Sequence, residues 1–345
     1  DYSGSCPALL LEPQRTNVLP SSELINYSLW TRISLTATDN QAVSPQGVNN
    51  ACKIVTTDSN SRLIHNMSFT SGSNFTISAF VKKAGSGTDF DYIRFQSYYG
   101  ADGFRCWFNI TNGTKGTEGS FGSGNIVDSK IEDYGNEWYR ISVTGNLPNA
   151  APIFWIVPAT GDNTNSVPVS SEYYLWGAQA EAGSYPTSYI PTYGSSVTRS
   201  GDNSGAIDVS SLGVTTGYTL FYELGDFNVA FGGVWLAQAG GGDRPYQVYG
   251  ATAVIKTNSG DAYPFNHGTL GKGTGIKVAV NYDGTNINVF TNGTKRGTWE
   301  ANKTIWDALT NLDMTLNNLQ MVNWKQLLVF PTALTDSECI ALTTL

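Results

Sequence analysis

The chain has 345 residues, 40% of them hydrophobic and 12% aromatic, which is material for one large or two mid-sized cores. Only 14% are charged, with 37 Gly, 9 Trp, 18 Tyr and 15 Phe, a composition that excludes a disordered chain and a helical bundle. The net charge of −8, with no basic block, argues against nucleic acid as a partner.

Taken in chain order, the elements are strands. Phe75, Ile77, Ala79 and Val81 alternate with Thr76, Ser78 and Lys82, and Tyr139, Ile141 and Val143 alternate with Arg140, Ser142 and Thr144. Tyr173, Leu175 and Gly177 follow. In the second half come Leu220/Tyr222/Leu224, Ile276/Val278/Val280, Ile287/Val289 and Trp324/Gln326/Leu328/Phe330. Between them stand Asp102-Gly103, Asn112-Gly113, Asp283-Gly284 and Asn292-Gly293, which favour the type I′ turns that suit a hairpin's twist. Trp30, Trp107, Trp138, Trp155, Trp176, Trp306 and Trp324 lie in apolar runs and are expected in cores. One helix is predicted, opening at Thr335-Asp336-Ser337-Glu338, a capping box with Leu334 and Cys339 placed as a hydrophobic staple. The fold class expected is all-β: two antiparallel β-sandwiches, jelly-roll-like then concanavalin-like, with one short C-terminal helix.

The polar, Gly-rich run from Gly194 to Gly205 reads as the boundary. The expected organisation is a leading segment over 1–17, a first sandwich over 18–195, a linker over 196–204 and a second sandwich over 205–345. The first residue is Asp1, so the leading segment is expected to continue from an upstream region. No apolar run approaches the roughly 18 residues that span a bilayer, so no membrane insertion is expected.

Catalytic patterns are sparse. Glycoside hydrolysis needs two carboxylates about 5–9 Å apart across a cleft. The nearest cluster, Glu132-Asp133 with Glu137, places neighbours on opposite faces of a strand and reads as a solvated turn. His65 alternates with Leu63 as a structural histidine does, and no GxSxG elbow occurs. Gly271-Lys272-Gly273-Thr274-Gly275 precedes a strand, not a helix, so it is no phosphate cradle. Cys6, Cys52, Cys106 and Cys339 have no metal-ligand spacing and read as small buried hydrophobes, with a disulfide left open. Asp102, Asp162 and Asp283 read as turn acids; no cofactor is expected, a structural calcium being the one ion left open. The enzyme question leans towards no.

Several stretches resemble a known pattern. Leu9-Leu10-Leu11-Glu12-Pro13-Gln14-Arg15-Thr16-Asn17 is similar to a segment common in phage tail-fibre and related phage structural proteins. Trp138-Tyr139-Arg140 resembles a strand of the same proteins. The run from Trp176-Gly177-Ala178-Gln179 through Glu181-Ala182-Gly183-Ser184-Tyr185-Pro186 to Thr187-Ser188-Tyr189-Ile190-Pro191-Thr192 is similar to their ending, completed by Val197-Thr198-Arg199. One departure is Ala180, where that pattern has Leu. The resemblance covers roughly residues 8–200. The second half resembles a concanavalin/laminin-G-type module, on its Asp283-Gly284 and Asn292-Gly293 hairpins and its terminal helix.

The resemblance implies a virion protein, displayed on a tail or head fibre as a homo-oligomer, with a trimer expected. It would join other virion proteins through the upstream region and bind host-surface polysaccharide without catalysis. A glycan-degrading tail spike and a structural spacer or decoration protein stay open beside it. Sugar rings stack on exposed aromatics while Asn, Asp and Arg bond their hydroxyls, and loops at one end of a sandwich offer such groups. Two stretches carry both ingredients. Asp243, Arg244 and Tyr246 follow a Gly-rich loop; Tyr263, Asn266 and His267 form a polar-aromatic one. Tyr246 and Tyr263 are expected to stack, Trp235 to line the same end, and Asp243, Arg244, Asn266 and His267 to bond hydroxyls or an acidic sugar. Tyr98-Tyr99-Gly100-Ala101-Asp102 is a comparable turn in the first half.

Overall fold

In the computed structural model, the described residues are 9–85, 90–202, 206–214, 216–228, 233–235, 238–239, 245–249, 252–266, 275–307, 309–313 and 321–345. Strands dominate, every pairing is antiparallel, and the chain divides into two compact units, each built on a β-sandwich.

The amino-terminal unit is Arg15–Arg199. Its first sheet orders the strands Thr114–Phe121, Asp102–Asn109, Tyr92–Tyr99, Ile153–Ala159, Arg62–Asn66 and Thr31–Ile33. Its second orders Asn125–Asp133, Tyr139–Asn146, Phe75–Lys83, Glu172–Ala182, Asn49–Thr56 and Leu35–Val43. The core between them takes the alternating side chains read from the sequence: Phe75, Ile77, Ala79, Val81, Ile141, Val143, Tyr173 and Leu175 from the second sheet, Phe95, Phe104, Cys106 and Phe154 from the first.

The intervening residues of the second sheet are buried as well. Thr76, Ser78, Phe80, Arg140, Gln179 and Glu181 lie on its outer face and are covered. The cover includes the segment after the Glu172–Ala182 strand, held by a buried polar network. Glu181 accepts the Thr187 N–H at 2.8 Å, the Thr187 hydroxyl at 2.7 Å and the Gln179 amide at 2.6 Å. The Gln179 carbonyl oxygen takes the Ile190 N–H at 2.7 Å, and Arg140 donates to the Thr187 carbonyl at 2.5 Å. Burial pushes the Glu181 carboxyl up, against the Thr187, Gln179 and Arg140 contacts that favour its charge.

The two terminal segments that carry the phage resemblance meet here. The Asn17 amide donates to the carbonyls of Ala178 and Ile190 at 3.2 and 2.9 Å, while its oxygen accepts the N–H groups of Leu19 and Ala180 at 3.1 and 3.0 Å. Arg15–Asn17 also pairs with Val197–Arg199. These residues are internal fastenings of the sandwich.

The carboxy-terminal unit contains residues from Ser200 on, together with those up to Gln14. The expected leading segment is thus split: Leu9–Leu11 is an edge strand on Met321–Phe330, and Arg15–Asn17 belongs to the other unit. The division falls at Arg199/Ser200, and Val197–Arg199 of the expected linker is a strand. The main sheet continues from Met321–Phe330 through Tyr218–Asn228, Ile276–Tyr282 and Asn286–Thr291 to Thr294–Glu300. A four-stranded sheet orders Gly233–Trp235, Tyr246–Tyr249, Thr252–Thr257 and Gly260–Ala262, and a small three-stranded one runs Ala206–Asp208, Leu309–Asp313, Gln238–Ala239.

The core holds Leu220, Tyr222, Tyr246, Ile255, Val278, Val280, Ile287, Val289 and Trp306. The closing helix Asp336–Thr343 has the expected capping box on Thr335 and Glu338, and Leu334 and Cys339 share one apolar cluster. A second, short helix, Lys303–Trp306, was not foreseen. Cys52, Cys106 and Cys339 are free and buried, and Cys6 lies outside the described residues.

Candidate functional site

Of the loop residues expected to bind sugar, Tyr246 and Tyr263 lie in different settings, one buried and one exposed. Tyr246 is 0% exposed, its hydroxyl 2.5 Å from that of Tyr222, and burial pushes its phenol pKa up. It packs in the core and cannot stack on a ligand, a correction to the sequence reading. The Gly-rich run before it suggested a loop, but Tyr246 opens a strand whose register with Ile255 turns it inward.

Tyr263 is 64% exposed. Asn266 is exposed too and bridges to Thr252. Trp235 ends the strand Gly233–Trp235. Asp243, Arg244 and His267 lie outside the described residues, as do Gly271, Lys272, Gly273 and Thr274. The three acids read as turn acids are engaged by protein donors, Asp102 from the first position of a strand. Asp102 accepts the Ser123 N–H, Asp162 the Thr117 N–H and hydroxyl, and Asp283 the Thr285 and Asn286 N–H groups. Among the described residues no three His, Cys, Asp or Glu side chains gather as a metal set would need.

The amino-terminal sandwich offers two other places. One is a cavity of about 550 Å³ lined by Lys82, Lys83, Tyr134, Glu137, Trp138 and Tyr174 among others. Its ammonium and indole groups are paired within the protein: Lys82 Nζ lies 3.0 Å from Glu137 Oε2 and donates to the Asn136 carbonyl at 2.8 Å, Lys83 Nζ lies 3.1 Å from Asp91, and the Trp138 indole donates to the Val43 carbonyl at 3.0 Å.

The second is the outer face of the first sheet. Residues paired directly across antiparallel strands share a face. Gln96 pairs with both Arg105 and Trp155, Arg94 with Trp107, Tyr98 with Gly103, and Gly103 with Phe121. Four strands therefore bring Arg62, Arg94, Arg105, Trp107, Trp155 and Tyr98 onto one face, and a fifth adds Phe121. There guanidiniums and rings interleave. Arg62 lies 4.8 Å over the Trp155 ring, Arg105 4.8 Å over Trp107 and 5.7 Å over Phe121, and Arg94 5.7 Å over Trp107. Tyr98 meets Trp155 edge-on at 4.8 Å. Gly103 makes room for this packing, since a Cβ there would fall 2.2 Å from the Phe121 ring.

Cation–π contacts contribute from about 0.5–1 kcal/mol when exposed to about 2 when desolvated, but they leave the positive charge uncompensated. None of the three arginines pairs with a carboxylate among the described residues. The Arg105 side chain makes no hydrogen bond within them, and among the described residues the buried Nε atoms of Arg62, Arg94 and Arg105 and the Trp155 indole N–H have no partner. Burial, with Arg105 and Arg62 nearby, lowers the Arg94 pKa to about 10. The loop around Thr164 closes one end, accepting the Trp107 indole N–H at 2.9 Å and bonding Arg94 through Asn165. Arg62, Tyr98, Arg105 and Trp155 are left half-buried.

Sequence reasoning singled out the Tyr98 turn but missed the arginines and placed Trp155 in the core. The signal was the Arg–x–Trp of Arg105-Cys106-Trp107, two side chains on one face of one strand.

No protein-family model matches the chain, and no curated protein matches it. Among solved structures, the binding domain of botulinum neurotoxin DC in complex with rat synaptotagmin II is 11% identical over 38% of this chain and 36% of its own, with a TM-score of 0.30. The extracellular region of zebrafish Gpr126/Adgrg6 is 11% identical over 90% of this chain and 37% of its own, at 0.32. Domains LG4-5 of the mouse laminin alpha1 chain are 10% identical over 81% of this chain and 90% of theirs, at 0.27. The matched part thus spans about a third of the toxin and Gpr126 chains, and at these values none of the likenesses assigns a function.

Proposed function

We propose that this chain is a bacteriophage fibre protein that binds host-surface glycan without cleaving it. The carrying observation is the outer face of the first sheet, where half-buried Trp155 and Tyr98 lie beside guanidiniums with donors to spare. Flat rings for sugar C–H faces and side-chain donors for hydroxyls are what saccharide recognition uses. The virion setting is supported by the sequence resemblance of the segments around Asn17 and Glu181. In that setting the chain would be a homotrimer joined to other virion proteins, which sedimentation of the purified chain would test.

The direct experiment is a glycan array probed with the full chain, followed by incubation with each bound polymer. Retention on a defined set of glycans with unchanged polymer length is the expected result. Shortening of the polymer would replace adhesion by a degrading spike, and failure to bind any glycan or host cell would leave a spacer.

A further inference from the structure

Resting on the glycan-binding reading, we infer that the outer face of the first sheet recognises an acidic saccharide, a sugar polymer carrying carboxylates, through Arg105 and Arg62 with Trp155 as the stacking platform.

The charge balance points to an anion. The chain is acidic overall, at −8, yet this face gathers three guanidiniums and no carboxylate that pairs with them. Like charges held together, with part of their hydration replaced by aromatic faces, are costly unless something compensates them. Elsewhere in the same unit four lysines pair with carboxylates, Lys53 with Glu172, Lys82 with Glu137, Lys83 with Asp91 and Lys115 with Glu118, while Lys130 stands exposed in water without an ion pair among the described residues. Arg105 is the contrast. Two rings flank its guanidinium, at 4.8 and 5.7 Å, it is half-buried, and its donors have no acceptor among the described residues. A planar fork matches a carboxylate bidentately, where a lysine would supply only a point charge.

The spacing points to a saccharide. Trp155 and Arg105 are both paired with Gln96, so they stand two strands apart, about 10 Å at the usual inter-strand separation. A pyranose stacked on Trp155 places its linked neighbour over Gln96, with that neighbour's carboxylate at Arg105. Arg62, stacked on the same indole and tied to the Asn60 carbonyl at 2.8 Å, meets the acid group on the other side. A dense polyanion such as nucleic acid fits poorly, because it is held through many phosphate contacts and this face gathers three guanidiniums.

The test is binding of the full chain, by titration calorimetry, to polygalacturonate, hyaluronate and polysialate. Neutral dextran, dextran sulfate, polyphosphate and the carboxyl-reduced form of each bound polymer are run alongside. Binding to at least one carboxylated polymer is expected, weakening with salt and lost on carboxyl reduction. Arg105→Gln and, independently, Arg62→Gln should each raise Kd by about tenfold or more, as removal of a charged hydrogen bond does, with a cooperative thermal unfolding transition that stays well above the assay temperature although the lost ring contact lowers it. Trp155→Ala should weaken binding without changing its salt slope.

Preference for sulfated or phosphorylated polymer over carboxylated would overturn the carboxylate assignment. Equal binding to the carboxyl-reduced polymer, or binding of both arginine variants at the wild-type Kd, would overturn the site and leave glycan adhesion standing. If no polymer binds here and none on the array, both readings fall.

Discussion

The side-chain oxygen of Asn17 accepts the backbone N–H of Ala180 at 3.0 Å, tying the start of the amino-terminal sandwich to its last long strand. Asn17 is 0% exposed and makes three more hydrogen bonds, to Ala178, Ile190 and Leu19. Every one of the four reaches a backbone group that water would otherwise have to satisfy. Asn17→Ala is expected to cost about 3 kcal/mol, because buried groups lose their partners together. Asn17→Asp is expected to be at least as damaging, since it puts a charge where two carbonyls need donors. Urea unfolding followed by tryptophan fluorescence checks both. A loss under about 1 kcal/mol would mean that the segment is not a fastening.

Gly177 is fixed by geometry of the same kind. It lies in the register shift between Trp176 and Gln179 with φ at +61°, in the left-handed region. A Cβ there would approach the Phe80 ring at 2.9 Å and the Tyr189 ring at 3.3 Å. Gly177→Ala should lower stability by about 2 kcal/mol, from backbone strain plus displaced rings. Calorimetry of the unfolding transition measures it, and an unchanged midpoint would rule the account out.

Alternation made the strands legible. Phe75 through Val81 and Ile141 through Val143 face the core as their period requires. It also implied that Thr76, Ser78 and Arg140 face water, which they do not, because the non-strand segment around Thr187, 47 residues beyond Arg140 in the chain, lies over them. Pairing that is long-range in sequence leaves no local periodicity to read. The arginine face was hidden for the same reason. Arg62, Arg94, Arg105 and Trp155 come from four strands, and each alone looks like a solvated charge or a core indole; only the register assembles them. Tyr246 failed in the opposite sense, since its Gly-rich approach masked a partner, Tyr222, on a distant strand.

Tyr246 and Tyr263 should therefore behave differently. Tyr246→Phe removes one side of a buried hydroxyl pair and is expected to cost about 1 kcal/mol of carboxy-terminal stability. Tyr263→Ala, at an exposed position, should stay within about 0.5 kcal/mol of the parent. Parallel urea titrations decide it, and a larger loss at Tyr263 than at Tyr246 would reverse the assignment of which ring packs.

His65 gives the amino-terminal sandwich an acid sensitivity of its own. Its ring meets Trp30 edge-on at 5.2 Å, its Nδ1 has no partner, and burial holds its pKa below the ordinary 6.5. The folded state thus keeps the neutral ring, while the unfolded chain takes up a proton first as the pH falls. The stability associated with the neutral ring is fully present above 6.5 and is lost on acidification below it, no more steeply than about 1.4 kcal/mol per pH unit for one proton. His65→Phe keeps a ring against Trp30 and removes the titration. Between about pH 7.5 and pH 5, the window that an ordinary histidine spans, the parent should lose more stability than the variant, as read from urea midpoints. Parallel pH profiles for the two proteins would show that the proton goes elsewhere.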